Sequence, residues 1–451
     1  MTTRIQDATV TAAPTDIGRR RFMLRASALP LGAAALSAAT SRPARAAVKT
    51  SAHIVIAGSG LGGVAIANRL SRELDGAKIT IVDRKEIHNY QPGYTLVATG
   101  IWPVAKVSDR NADLLPGRVE WVKDMAAGFD PDANTLVTEG GQRIRYDYLV
   151  VATGLHLDFA QIDGMDVSAI GANGLTSVYP GPQAAQATWL AMDAFRRQGG
   201  EALMTLPATP LKCAGAPLKM TFMLVDRLRE AGMRASSKVG FHSALDNIFS
   251  VKPVNDDVLR RWADLDVPVT FNSKLVGIDI GARRATFLTP EGERNELGYD
   301  FIHVVPPMRA PDAVKNSPLA WQDGPFAAGG WLEVDKDTLR HRRYPNVFGL
   351  GDINGTPRGK TAATIKKSAP LVARNLIDVI AGGEPSQRFD GYTSCPLLLR
   401  EGSALLVEFD YEGRLVPSLP MIEPLQDSYF AWLMKYRLLK PAYMAVAKGR
   451  V

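Results

Sequence analysis

The chain has 451 residues, 46% of them hydrophobic and 22% charged, with a net charge of +7. That length predicts two or three domains, and the apolar fraction excludes wholesale disorder. The charge does not make it a nucleic-acid binder: residues 1–47 hold seven arginines against Asp7 and Asp16, leaving only +2 for the rest of the chain and no concentrated basic patch.

Residues 1–46 read as an address. An arginine run from Arg19 to Arg21 precedes an apolar stretch from Ala26 to Ala39, and Ala44-Arg45-Ala46 supplies a small-residue cleavage pattern. This is the layout of an export signal, with an apolar part too short to span a bilayer comfortably. Arg19-Arg20 with Phe22 and Met23 resembles a twin-arginine signal, which predicts a periplasmic protein exported already folded.

From Ala52 the text reads AHIVIAGSGLGGVAIANRLSRELDGAKITIVD. HIVIAG predicts a buried strand, GVAIANRLSREL a helix and KITIVD a second strand. Gly58, Gly60 and Gly63 form G-x-G-x-x-G at the first junction, for a tight turn, close approach of a pyrophosphate and helix–strand packing. Asp83, ending the second strand, is placed to accept from a ribose hydroxyl. Two further strands end in Ala152-Thr153-Gly154 and in Gly351-Asp352. These resemble the remaining signatures of flavin disulfide-reductase-like enzymes, and in this order the three motifs imply FAD.

Residues 170–300 predict an inserted α/β module: helix 182–197, strand 201–207, helix 216–231 and strand 238–243. Its strand-to-helix turn is TPLKCAGAP (209–217). Pro210 and Pro217 remove amide donors and the glycine spacing for a pyrophosphate is missing, which argues against NADH. The loop carries Cys213 instead, ahead of a helix N-terminus whose dipole, with Lys212 and Lys219, favours a thiolate. The second of only two cysteines is Cys395, in YTSCPLLL. Two readings stand: a structural disulfide contributing about 5 kcal/mol, or a redox pair beside the flavin.

The segments PLKCAGAPLK, NYQPGYTLVATG, YDYLVVATGLHLDF and GYTSCPL closely resemble sulfide:quinone oxidoreductases from about residue 50 to 440, particularly the two-cysteine branch that includes the mitochondrial enzyme. The resemblance implies a Cys213–Cys395 bridge, either a disulfide or a sulfur-bridged equivalent. Sulfide attacks it at Cys395 and leaves a persulfide there. Electrons pass from the Cys213 side to FAD and on to ubiquinone or menaquinone, and a sulfane-sulfur acceptor removes the product. Lys360 resembles a lysine near the family's flavin, although a solvated loop lysine is an equal reading. The tail 428–448, rich in aromatic and basic residues and split by Pro441, predicts amphipathic helices lying on a membrane.

The expected fold is α/β, with two Rossmann-like dinucleotide-binding-type domains and a C-terminal membrane-attachment segment. Residues 47–168 and 301–390 form a discontinuous FAD domain, 169–300 the inserted domain with the Cys213 loop, and 391–451 the region with Cys395. The flavoprotein subunit of a flavocytochrome c sulfide dehydrogenase is an alternative, but residues 88–94 lack that family's flavin-linking cysteine. A type II NADH dehydrogenase would need the missing second glycine loop. The six histidines show no metal-ligand spacing, and a homo-oligomer is possible.

Overall fold

The computed structural model describes residues 47–451, so the predicted export leader lies outside the described residues. His53–Ala57 (β1), Leu61–Glu73 (α1), Lys78–Val82 (β2), Glu120–Val122 (β3) and Tyr148–Val151 (β4) open the first layer. Ile54 to Ala57 have no exposed surface. A central parallel strand is covered on both faces, hence its unbroken apolar run in place of alternation. With a later strand, Val347–Gly349, these four build a parallel sheet in which the late strand, β4, β1, β2 and β3 lie side by side. The chain steps from β1 to β2 on one side and returns to β4 on the other. The strand order therefore reverses between β1 and β4, where an open α/β sheet takes its ligand at the carboxyl edge.

The inserted module follows the same plan. Leu175–Thr176 (β5), Pro182–Gln198 (α2), Gly200–Leu206 (β6), Ala216–Glu230 (α3), Ser237–Ser243 (β7), Val269–Thr270 (β8) and Phe301–His303 (β9) give a second five-stranded parallel sheet, ordered β5-β9-β6-β7-β8. Its strand order reverses beside β6, so the loop after β6, which carries Cys213, lies at this sheet's own switch point. Strand β9 pairs with Ala202–Met204, so the chain leaves the second sheet after residue 303, past the boundary expected at 300. Its side chains are fully buried between β5 and β6, which holds it in the inserted layer. A three-stranded antiparallel sheet, 274–298, precedes it and was not foreseen.

The late strand Val347–Gly349 (β10) leads into Ala362–Ile380 (α4), then the antiparallel hairpin Thr393–Arg400 (β11) and Ser403–Phe409 (β12), with Cys395 opposite Val407. Leu397, Leu398 and Leu405 of the hairpin share one core with Leu218, Met220 and Leu224 of α3.

The tail runs as Tyr429–Leu433 (α5), a π-helical turn Met434–Leu438 and Leu439–Ala447 (α6). Pro441, expected to split it, is the third residue of α6. The irregularity comes one turn earlier, because proline has no N–H and its ring excludes the carbonyl four residues back. Among the described residues no helix is long and apolar enough to cross a membrane.

Candidate active site

The three glycines of the first loop divide the work as their spacing requires. Gly58 has φ +106°, and a Cβ there would strike the carbonyl of Ala152; one on Gly63 would strike the carbonyl of Gly58. A Cβ on Gly60 would meet nothing within 4 Å. The outer two close the turn and seat α1, and the middle one faces the open side, where a phosphate would approach. The Asp83 carboxylate is buried and accepts from the N–H groups of Ser59 (2.7 Å) and Lys85 (2.9 Å). It fixes the glycine loop from the end of β2.

The other two flavin signatures converge on the same edge. The Thr153 hydroxyl is buried without a partner, and Gly154 has φ +71°. Gly351 has φ +90°, and the Asp352 carboxyl is pushed up by burial, against the pull of Lys360 and Lys212. The Lys360 ammonium donates to the carbonyls of Asp352 (2.7 Å) and Asn354 (2.9 Å) and lies 3.6 Å from the centre of the Trp331 ring. Burial pushes it down to about 7, against the pull of Asp352. Held in this way, Lys360 is not a solvated loop lysine. A glycine cradle, an unpartnered threonine hydroxyl and the buried Asp352 carboxyl beside Lys360 together fit a dinucleotide.

Cys213 and Cys395 come together at the second sheet. Both are free thiols. Cys213 has φ +52°, a left-handed conformation uncommon outside glycine. Its N–H donates to the carbonyl of Lys360 at 2.9 Å, and its own carbonyl accepts from Ala216 N–H at 2.7 Å, at the start of α3. A Cβ on Gly215 would strike the sulfur of Cys395. The cysteine of the hairpin therefore presses against the helix terminus where a second pyrophosphate would sit.

Electrostatics separate the two thiols. Cys213 is held well below the ordinary thiol range, first by the hydrogen bond from Cys395 and then by Lys219 and Lys435, against burial. Cys395, the donor in that bond and fully buried, is pushed well up. Lys219 Nζ donates to Cys213 Sγ at 3.5 Å. Burial opposes its charge, but the two sulfurs outweigh burial and keep it protonated. An isolated buried ammonium would carry a penalty of several kcal/mol, so Lys219 is matched to a thiolate and is not mere helix decoration.

The tail supplies a group that sequence reasoning missed. Lys435, on the π-helical turn, is 2% exposed and donates to the carbonyl of Pro92 at 2.5 Å. Burial and then Lys219 push it down to about 7, against the two sulfurs. Tyr443 is buried as well, its hydroxyl 2.8 Å from His88 Nε2, while Lys440 pairs with Asp109 at 2.9 Å. Helices lying on a membrane would turn lysines outward and set aromatics at headgroup level, and these three and buried Trp432 do not. Tyr429, Phe430 and Leu438 remain exposed. Core packing claims one face of the tail and leaves the other free. The signal for Lys435 was a lone lysine between Met434 and Tyr436 in an otherwise apolar run. Among the described residues no cluster could hold a metal ion.

Over 424 residues the chain is 37% identical to the mitochondrial sulfide:quinone oxidoreductase of Dictyostelium discoideum, covering 94% of this chain and 92% of that one. The mitochondrial sulfide:quinone oxidoreductase of Mus musculus is 34% identical over 397 residues, 87% of this chain and 85% of that one. The chain belongs to the sulfide:quinone oxidoreductase family. Residues 52–187 also match the family described as pyridine nucleotide-disulphide oxidoreductase. The sulfide:quinone oxidoreductase of the hyperthermophilic bacterium Aquifex aeolicus has the same fold, with a TM-score of 0.73 and 21% identity over 88% of this chain and 92% of that one. As a sulfide:quinone oxidoreductase the protein is an FAD-dependent enzyme.

Proposed function

We propose that the protein oxidises sulfide to sulfane sulfur on Cys213 and Cys395, with the electrons passing through FAD to membrane ubiquinone or menaquinone. The observation that carries this reading is the contact of two thiols of opposite acidity, with an ammonium on the more acidic one and that one tethered to the Lys360 segment. In the oxidised form the two sulfurs are bonded. Sulfide attacks the sulfur of Cys395, the Cys213–Cys395 bond breaks, and Cys213 leaves as a thiolate while Cys395 retains the added sulfur. Exchange of this kind is faster with a more acidic leaving thiol, which assigns the leaving role to Cys213, where the Lys219 ammonium neutralises the charge. Bound FAD, held by Gly58, Gly60, Gly63, Asp83, Thr153, Gly154 and Asp352, supplies a two-electron acceptor. A nucleophilic acceptor then takes the sulfane sulfur from Cys395 as a polysulfide or persulfide, and the two thiolates lose an electron pair to rebuild their bond.

The quinone reading asks for contact with lipid. Tyr429, Phe430 and Leu438 supply it in this proposal, each contributing roughly 1.5–3 kcal/mol on burial. Arg19-Arg20 and Ala44-Arg45-Ala46 support export of the mature chain to the periplasmic face, although the two relatives above are named as mitochondrial. Fractionation of cells decides the compartment: mature chain recovered with the cytoplasm overturns export and leaves the chemistry untouched.

The test of the reaction is anaerobic. Purified holoenzyme receives sulfide or NADH, the flavin spectrum is followed, and a short-chain quinone is added. Bleaching by sulfide, reversed by quinone and absent with NADH, is the expected result. Bleaching by NADH alone overturns the proposal.

A further inference from the structure

We infer that Tyr179 is a further catalytic residue of the sulfur site, its phenol donating a hydrogen bond to the sulfur that Cys395 carries after sulfide attack. The inference rests on the proposed roles of Cys213 and Cys395. Tyr179 lies in the loop between β5 and α2, and Cys213 in the loop between β6 and α3. Both loops leave the carboxyl edge of one parallel sheet, where only β9 separates β5 from β6, and α2 packs on α3. Tyr179 shares a packed cluster with Cys213, Ala216 and Leu397.

The side chain is 4% exposed, and its hydroxyl is sealed from water with no hydrogen-bond partner. A buried hydroxyl without a partner is disfavoured and uncommon. At this place it calls for an acceptor that arrives during the reaction. Lys219 is an ammonium donor and cannot serve, and the Cys213 sulfur already receives it at 3.5 Å. The outer sulfur of a Cys395 persulfide is the acceptor still lacking a donor. Burial first, and then the nearby Cys213 and Cys395, keep the phenol protonated far into alkali, so it donates and never titrates in the working range. No bond to the phenol forms or breaks: it holds the outer sulfur in place while sulfide adds and while the acceptor takes that sulfur away.

Tyr179→Phe tests this in the holoenzyme, with two readouts beside turnover. The first is thermal stability, which should hold or rise, since the substitution removes an unpartnered polar atom. The second is mass spectrometry of the Cys395 peptide after one equivalent of sulfide, which should show a smaller fraction carrying one added sulfur. Sulfide-driven bleaching should slow about 10-fold, the loss of one ordinary hydrogen bond, with the shape of its pH profile unchanged. Tyr179→His, which retains a ring with a donor, should recover part of the persulfide. Persulfide occupancy and bleaching rate within twofold of the unaltered enzyme overturn the inference, and so does a fall of several degrees in Tm, which would place the hydroxyl in the fold. Failure of the unaltered enzyme to bleach with sulfide is the separate failure of the proposed function, and the inference falls with it.

Discussion

The N–H of Cys213 donates to the carbonyl of Lys360 across 2.9 Å. One partner belongs to the switch-point loop of the second sheet, the other to the segment that follows Gly351-Asp352 on the first. The backbone of Cys213 is thereby held against the segment that follows the flavin signature. Cys213 accepts a left-handed φ of +52° in this position, the kind of backbone strain found where a group must be aimed. The second dinucleotide-type sheet retains the ligand place of its fold. What fills that place is sulfur, supplied by a hairpin 182 residues further on.

Lys219 should set the acidity of Cys213. Lys219→Met removes the ammonium that donates to Cys213 Sγ at 3.5 Å and leaves a stem of similar length in the core. A hydrogen bond to a charged group contributes about 1.5–3 kcal/mol, so sulfide-driven flavin reduction should slow about 10- to 150-fold. The direction on pH follows from the same contact. Lys219 helps hold Cys213 below the ordinary thiol range, so without it the acid limb of the rate moves to higher pH. Stopped-flow bleaching across pH checks both, and an unmoved acid limb rejects the assignment.

Gly215 is a spacing residue. Its Cβ would strike Cys395 Sγ and lie 3.5 Å from Leu397 Cδ1, while its own φ of −80° suits any residue. Gly215→Ala therefore acts through crowding alone, of a kind that destabilises by about 1–3 kcal/mol. The expected outcome is a protein that retains FAD but whose two cysteines no longer bond. Thiol titration after mild oxidation would then find two free thiols where the unaltered enzyme shows none.

Most of the first sheet was legible because its signals are local. HIVIAG, the glycine spacing and Asp83 lie within 31 consecutive residues, and their chemistry fixes their neighbours. Cys213 stood out for a converse reason, as a loop of the right place and the wrong composition. Tyr179 was not legible, and Lys435 showed only as a lysine set in an apolar run, with no sign of what it meets. Lys435 reaches a carbonyl 343 residues away, and neither spacing nor hydropathy encodes such a contact. The tail misled because amphipathic patterning shows that a helix has two faces, not which one meets protein and which meets solvent. Its polar residues Lys435, Lys440 and Tyr443 all turned toward protein partners.

Gly60 and Gly63, three residues apart, should separate cofactor binding from folding. A Cβ on Gly63 would overlap the carbonyl of Gly58, whereas one on Gly60 meets no protein atom within 4 Å. Gly63→Ala should lower the Tm of the apoprotein. Gly60→Ala should leave the apoprotein Tm within about a degree and weaken FAD retention, because its methyl enters the space where the pyrophosphate needs bare backbone. Tm with and without added FAD, together with the flavin-to-protein absorbance ratio, distinguishes the two. Equal loss of apoprotein stability in both would mean that the open side of the loop is not a ligand face.

Three of the four buried histidines set an acid limit on the fold. Burial pushes His242 and His341 down to about 4 and His303 down to about 3. Each is therefore neutral in the folded protein and takes up a proton near its ordinary value of 6.5 once unfolded. Stability from these groups is fully present above pH 6.5 and is lost as pH falls from there toward 4 and 3. Between pH 7.5 and 5.5 each loses about 1.3 kcal/mol, roughly 4 kcal/mol for the three. His303 is the sharpest test, since it has no exposed surface and neither ring nitrogen has a partner. His303→Leu removes one of the three titrations, so the urea midpoint of the holoenzyme should fall less between these two pH values than it does in the unaltered protein. An identical fall in both would show that His303 does not titrate on unfolding.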